Sequence, residues 1–351
     1  MASSSAAAAP LAAIFGLKGP SLTEAERAFF ARVRPLGYIL FARNIEDPAQ
    51  VLALVNDLRA LAPGLDPVVL IDQEGGRVQR LKPPDWRHAP AGAEFTALYA
   101  RNPDSARRHL RLNFQLIGEE LRALGIDVDC APVMDVPVPG AHDVIGDRAY
   151  GTDPATVHDL ARQVCEGLID AGVVPVIKHI PGHGRAMSDS HLELPRVGAD
   201  VATLRATDFA PFRAFCQDPG HPVAFGMTAH VVYEAIDPDQ PATTSRRMIE
   251  EVIRGEIGFQ GLLMSDDLGM KALSGPFDER AAKSLAAGCD VVLHCDGNMD
   301  DMEAVARGAG PLGERGLSAV AATAAIRRKP RAEIGNVLAA DFRIMDALRR
   351  G

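Results

Sequence analysis

The sequence predicts an α/β fold, a single-domain (β/α)8 TIM barrel over residues 1–351. Three observations predict it. Eight short apolar runs alternate along the chain with stretches of helical spacing. The runs are apolar throughout rather than at every second residue, which indicates parallel strands covered on both faces. The glycine-rich turn that opens a dinucleotide-binding sheet is missing after the first run, and eight strands favour closure over an open sheet.

The first strand, "AAIFGL" (12–17), follows the small-residue opening "MASSSAAAAP". That opening imitates a secretory leader, but no basic residue precedes Lys18 and Pro10 breaks the apolar run. Cleavage would also remove a strand, so residues 1–10 are read as a flexible extension. "EAERAFFARVR" then reads as a helix, followed by the strand "GYILFA" (37–42), the helix "PAQVLALVNDLRAL" and the strand "PVVLID" (67–72). A long helix over "ARRHLRLNFQLIGEELRAL" leads to "IDVDCAPV" (126–133).

The next helix, "PATVHDLARQVCEGLIDA", shows the spacing rule most clearly. Val157, Leu160, Val164 and Leu168 recur at three and four, making one apolar stripe. "TDP" supplies its N-cap and first-turn proline. The remaining strands are "VVPVIKH" (173–179), "PVAFGMTA" (222–229), "GLLMSD" (261–266) and "DVVLHC" (290–295), with a helix expected over "SRRMIEEVIRGE".

Bulk properties narrow the function classes. A net charge of −9 gives no general reason to bind nucleic acid or an anionic membrane. No apolar run reaches the length of a membrane span. The five cysteines form no CxxC pair, and an odd count suits reduced thiols in a cytoplasmic protein. The sequence is compatible with a monomer, and no cofactor or metal motif such as HExxH is present.

Catalytic groups of such a barrel sit at the C-terminal ends of its strands. Those ends are polar here: "IDQEGGRVQR" (71–80), "APVMDV", "VIKHIPGHG", "GMTAH" and "LMSDDLGM". Salt bridges closing the barrel mouth would explain one or two of them; five together point to a pocket. In "LMSDD", successive side chains of a strand point opposite ways, so Asp266 and Asp267 are not both expected to face the pocket centre. One carboxylate there suits a nucleophile or a partner for a cationic transition state. The alternative is that both cap the following helix.

Lys178 and His179 end the fifth strand, within reach of a ligand. Asp189 and His191 stand two apart beyond "PGHG", and a carboxylate beside an imidazole fixes its tautomer and stabilises its protonated form. Such a pair can give a proton to a leaving group and later take one from water. His183 reads as a structural residue. His179, His183, Asp189 and His191 are also all metal-ligand types, which keeps a metal-dependent hydrolase as a rival.

Six motifs together resemble glycoside hydrolase family 3, in its single-domain bacterial β-N-acetylglucosaminidase branch. They are "ILFARNI" (39–45), "IDQEGGRVQRL" (71–81), "VIGDRAYGTDP" (144–154), "KHIPGHGRAMSDSHLELP" (178–195), "MTAHVVY" (227–233) and "LLMSDDLGM" (262–270). They follow the family order and span nearly the whole chain, with Ile180 where phenylalanine often follows Lys-His. The resemblance implies that Asp266 is the nucleophile, His191 the general acid/base and Asp189 its dyad partner. It further implies that Asp72, Arg80, Arg148, Lys178 and His179 bind the sugar, with no cofactor.

The implied activity is retaining removal of terminal β-linked N-acetylglucosamine from cell-wall fragments in peptidoglycan recycling. The fragment is acidic, so Arg80, Arg148 and Lys178 are expected to make a locally basic pocket. Gly182 and Gly184 are expected to act as hinges that let 181–191 close over the sugar. Two further readings are a phosphorylase on the same scaffold and a non-catalytic sugar-binding barrel.

Overall fold

The computed structural model describes residues 9–190, 192–220, 222–329 and 337–350. Eight strands close into a barrel: β1 (Leu11–Gly16), β2 (Pro35–Leu40), β3 (Val68–Ile71), β4 (Val128–Asp129), β5 (Val174–Ile180), β6 (Phe225–Thr228), β7 (Leu263–Asp267) and β8 (Val291–His294). Every neighbouring pair is parallel, and β1 closes the ring against β8 through Ala13↔Val292, Ile14↔Leu293 and Phe15↔His294. Each strand coincides with one of the eight apolar runs.

Alternation along the strands sorts side chains into two layers. Ile14, Ile39, Leu70, Val128, Val176, Met227, Met264 and Leu293 pack together inside the barrel. Their neighbours Ala13, Phe15, Tyr38, Leu40, Val69 and Ile71 join a different cluster with the surrounding helices. Phe15 meets Phe29 edge-on at 5.5 Å between ring centroids, and Phe30 meets Tyr38 at 5.0 Å. Runs apolar at every position are therefore what a barrel strand needs, with one face to the lumen and the other to a helix.

The helices obey the spacing read from sequence. α1 (Glu24–Val33) starts at Thr23, whose hydroxyl accepts the Glu26 amide while the Glu26 carboxylate accepts the Thr23 amide. α2 (Pro48–Ala60) and the helix Pro103–Ala123 start with Asp47 and Asn102 as caps and proline in the first turn. In the helix Pro154–Asp170, Asp153 caps the Thr156 amide, and Val157, Leu160, Val164 and Leu168 are all fully buried. Burial of each contributes roughly 1.5–3 kcal/mol. The segment Met248–Ile257 is wound as a π-helix, with Ile249, Ile253 and Ile257 turned into the core.

Residues 1–8 of the expected extension lie outside the described residues. Pro10, by contrast, belongs to the fold: it is buried, and its carbonyl accepts the Leu312 amide at 2.8 Å. No helix among the described residues is long and apolar enough to cross a membrane. All five cysteines are free.

Candidate active site

The strand ends enclose a cavity of about 200 Å³. Its lining includes Asp72, Glu74 and Arg80 after β3, Arg148 after β4, Lys178 and His179 on β5, and Asp266 and Asp267 on β7. Asp72, Arg80, Arg148, Lys178, His179 and Asp266, six of the eight residues singled out from sequence, are thus brought to one cavity. Asp189 lies in the loop leaving β5 and is not part of the lining. His191 lies outside the described residues.

A short hairpin presents the first three groups. Gln73–Gly75 pairs antiparallel with Val78–Gln79, and Gly75 and Gly76 make the turn at φ +93° and +55°. A side chain at Gly75 would also collide with the Pro90 carbonyl, 2.4 Å from where its Cβ would sit. The Gln73 side-chain oxygen accepts the Arg80 and Leu81 amides at 2.8 and 3.0 Å, bringing Arg80 back over Asp72. The Arg80 guanidinium then lies 5.3 Å above the Phe41 ring.

The charged groups form a chain of ion pairs. Lys178 Nζ is 3.0 Å from Asp72 Oδ1 and 2.6 Å from Glu74 Oε1. Arg148 grips Glu74 with two parallel bonds of 2.8 Å, and Arg80 holds Asp72 at 3.1 Å. Burial alone would raise the Glu74 carboxyl, but Arg148 and Lys178 outweigh it and hold the group down at about 2. The same contest leaves Asp72 well below the carboxylate range. Burial would strip the Lys178 proton, yet Glu74 and Asp72 keep its value above normal. All three stay charged at neutral pH.

This pairing corrects the expectation of a basic pocket. Arg80, Arg148 and Lys178 face four carboxyl groups (Asp72, Glu74, Asp266 and Asp267) in the same lining, so the cations do not leave a net positive surface. The salt-bridge reading and the pocket reading of the strand ends are both correct, because the same residues do both.

Asp266 and Asp267 also behave differently from strict alternation. The register between β7 and β8 shifts between Met264 and Asp267, so both residues reach the cavity wall. Their carboxylates are nevertheless distinct. Asp267 Oδ1 accepts the Gly269 and Cys295 amides at 2.9 and 3.1 Å, which ties the strand exit together. Asp266 Oδ1 accepts the Asp267 amide at 2.8 Å, and both residues line the cavity. The following helix, Phe277–Ala287, starts after Pro276 with no side-chain cap, so the helix-capping alternative does not hold.

His179 is oriented from behind. Its Nδ1 lies 2.6 Å from Asp135 Oδ2, while Asp135 Oδ1 accepts the His179 and His183 amides at 3.2 and 2.6 Å. Burial pushes the Asp135 carboxyl up, but His179 and these bonds outweigh it, holding it at about 2. The ionised carboxylate keeps the proton on Nδ1, so Nε2 is the nitrogen left for a ligand. His183 stays neutral, since burial and then the neighbouring His179 lower it to about 4. An imidazole held at Nδ1 by a carboxylate presents Nε2 equally to a sugar or to a metal ion, so this contact does not separate the two readings of His179.

Gly182 and Gly184, expected as hinges, have a packing reason to be glycine. Both are buried, and a Cβ at Gly184 would stand 2.2 Å from the Val136 carbonyl oxygen. The Tyr233 hydroxyl donates to the Gly182 carbonyl. These glycines let two backbones touch at the root of the loop. The far end is also fixed, because Arg196–Val197 pairs with Val232–Tyr233 and Pro195 accepts the Val232 amide at 2.9 Å.

A family profile described as glycosyl hydrolase family 3 N terminal domain matches residues 21–315. The chain belongs to glycoside hydrolase family 3. It is 44% identical over 288 residues to a beta-hexosaminidase of Alkalilimnicola ehrlichii, covering 81% of this chain and 80% of that one. NagZ from Neisseria gonorrhoeae, solved in complex with N-trifluoroacetyl-D-glucosamine, is 29% identical with a TM-score of 0.84, covering 97% of this chain and 98% of that one. A family 3 beta-N-acetylglucosaminidase from Paenibacillus sp. str. FPU-7 is 30% identical with a TM-score of 0.83 over 97% of this chain; this chain spans 66% of that longer one.

Two residues of this family 3 site escaped the sequence reading. Glu74 stands two residues after Asp72, and side chains two apart on extended backbone share a face, so the spacing of "IDQE" carried the signal. Asp135 sits in the polar strand end "APVMDV", but nothing local shows that it serves a histidine 44 positions away.

Proposed function

We propose that this family 3 β-N-acetylhexosaminidase is a retaining exo-β-N-acetylglucosaminidase that works through Asp266 as nucleophile and an Asp189–His191 acid/base dyad. The observation that carries the reading is the presentation of Asp266 on a cavity shared with Asp72, Arg80, Arg148, Lys178 and His179. A volume of about 200 Å³ lies below the ~300 Å³ lower end of ordinary small-molecule pockets, which suits one terminal sugar ring. Carboxylates and cations held in fixed pairs offer acceptors and donors to its hydroxyls without reorganising.

In the first step the Asp266 carboxylate attacks the anomeric carbon as the bond to the leaving oxygen breaks, and His191 gives that oxygen its proton. In the second, His191 takes a proton from water, whose oxygen displaces Asp266 from the sugar. Retaining glycosidases usually divide these roles between two carboxylates. A neutral imidazole adds no second negative charge facing Asp266, so either group ionises more freely. The substrate class we propose is a peptidoglycan fragment bearing terminal N-acetylglucosamine on 1,6-anhydro-N-acetylmuramic acid, recycled in the cytoplasm.

The test is release of a phenol from its chromogenic β-N-acetylglucosaminide by wild type, Asp266→Ala and His191→Ala, with a chelator present. Activity that survives chelation and is lost in Asp266→Ala supports the reading; full activity in Asp266→Ala overturns it. Running the assay with and without inorganic phosphate, and identifying the sugar product, separates hydrolysis from phosphorolysis.

A further inference from the structure

Where β8 leaves the barrel, a histidine meets two acids that are no part of the cavity lining. His294 is the last residue of β8 and is fully buried. Asp296 follows in an exposed loop, and Asp301 lies half-buried in the first turn of the helix Met299–Gly308. A ring nitrogen of His294 and one oxygen from each acid lie within 4.8 Å of one another, the single such trio among the described residues.

The imidazole is aimed into this cluster without being bonded there. His294 Nε2 stands 2.9 Å from Asp296 Oδ1, but its N–H is not directed at that oxygen, and neither ring nitrogen has a hydrogen-bond partner. A buried polar group left in that condition is costly. Two such atoms held roughly 3 Å apart are what ligands of one ion show, since metal bonds of about 2.0–2.2 Å meeting near a right angle put them there. Asp296 Oδ1 also accepts the Asn298 amide at 2.7 Å, which orients the carboxylate and leaves lone pairs for an ion. Burial and then the neighbouring Asp296 raise the Asp301 carboxyl, a repulsion that a cation between the two would relieve. Arg43, whose field reaches Asp296, donates its hydrogen bonds to the Leu17 and Cys295 carbonyls instead.

We propose that His294 Nε2, Asp296 and Asp301 bind a divalent transition-metal ion of the zinc class, at a site outside the cavity. An imidazole beside two carboxylates suits zinc and its neighbours, whereas calcium and magnesium take oxygen ligands. Three protein ligands leave a fourth position for water, and Asp296 opens on a surface hollow shared with Lys18 and Asn298. Histidines that bind metals usually give their other N–H to a carboxylate; Asp267 Oδ1 lies 3.9 Å from His294 Nδ1, on the cavity wall. The ion does no chemistry on substrate. It ties the end of β8, whose Leu293 and Cys295 line the cavity, to the helix Met299–Gly308.

The full-length protein, without a histidine tag and stripped with a chelator, is titrated with zinc chloride by calorimetry. Its melting temperature is read with and without the ion. His294→Leu and Asp301→Ala are treated alike, with magnesium and calcium chloride as the comparison. Wild type is expected to bind one equivalent of zinc, to melt higher with it, and to respond to neither magnesium nor calcium at the same concentration. Each variant is expected to bind that equivalent at least about tenfold more weakly and to lose the gain in melting temperature.

No zinc binding by wild type would overturn the site. So would binding and a melting gain that Asp301→Ala leaves unchanged, since the ion would then sit on other ligands. Magnesium or calcium binding as tightly as zinc would overturn the assignment of class. Where metal-free His294→Leu melts far below wild type, Asp301→Ala alone carries the comparison, because its side chain is only half-buried.

Discussion

Asp135 Oδ2 lies 2.6 Å from Nδ1 of His179, and the carboxylate is wholly buried. This contact decides which imidazole nitrogen faces the cavity, and the same carboxylate holds the His183 amide. Asp135→Asn leaves the volume unchanged but removes the charge that fixes the tautomer. Hydrogen bonds to charged groups contribute about 1.5–3 kcal/mol, so kcat/KM is expected to fall roughly 10- to 100-fold. Steady-state kinetics checks it; a loss under twofold would show that His179 needs no such orientation.

Glu74 binds Lys178 and Arg148 at once, and all three are largely out of water. Removing one partner of a buried pair costs about 3–5 kcal/mol. Glu74→Ala is therefore expected to be destabilised by roughly that amount in denaturant titration. Its KM should also rise, because both cations lose the carboxylate that aims them.

Acid stability follows from the same groups. His183 is lowered to about 4 in the folded chain, so below its ordinary 6.5 the unfolded chain takes up a proton that the folded one refuses. Asp135 and Glu74, ordinarily 3.8 and 4.5, are held at about 2, so their contribution is complete above those ordinary values and fades as pH falls towards 2. Both effects make stability rise with pH. Burial raises the Glu120 carboxyl to about 7 and also raises Asp129 and Asp267, which opposes the His183 effect above pH 4. The drop in melting temperature is therefore expected from pH 4 towards 2. In Asp135→Asn that drop should shrink.

Gly184→Ala places a Cβ 2.2 Å from the Val136 oxygen. Forcing such an overlap typically costs about 1–3 kcal/mol or more. Loss of folded protein should accompany any loss of turnover. Gly19→Ala is the control, with nothing within 4 Å of the added carbon, and should melt with wild type. A normally folded but slow Gly184→Ala would favour the hinge.

Because the cavity's cations are matched by carboxylates, substrate KM should change less than about threefold between 50 and 500 mM salt, across which the screening length falls from above to well below ~10 Å. A steep rise of KM with salt would show an unpaired positive field.

The barrel was legible because its cause is local. The strands are apolar on both faces up to their polar C-terminal ends, as at Val68–Ile71, where alternate residues enter the lumen cluster and the helix-facing cluster. The helix stripe at Val157, Leu160, Val164 and Leu168 was equally plain. The site was legible where a residue's type and its strand-end position sufficed, as for Asp72, Lys178 and Asp266. Glu74 and Asp135 work through partners far away in sequence, and no local pattern reports those. The glycines of "PGHG" were ambiguous because flexibility and close approach demand the same residue; the Val136 carbonyl over Gly184 supplies the second reason.

The central claim is that Asp266 forms a covalent bond to the sugar. The most direct measurement incubates the protein with a 5-fluoro β-N-acetylglucosaminyl fluoride, whose fluorines slow release more than attachment, and then maps the modified peptide by mass spectrometry. The account expects one added glycosyl group on the peptide carrying Asp266, absent in Asp266→Ala. An adduct on another residue, or turnover of the reagent with no adduct at any time, would contradict it.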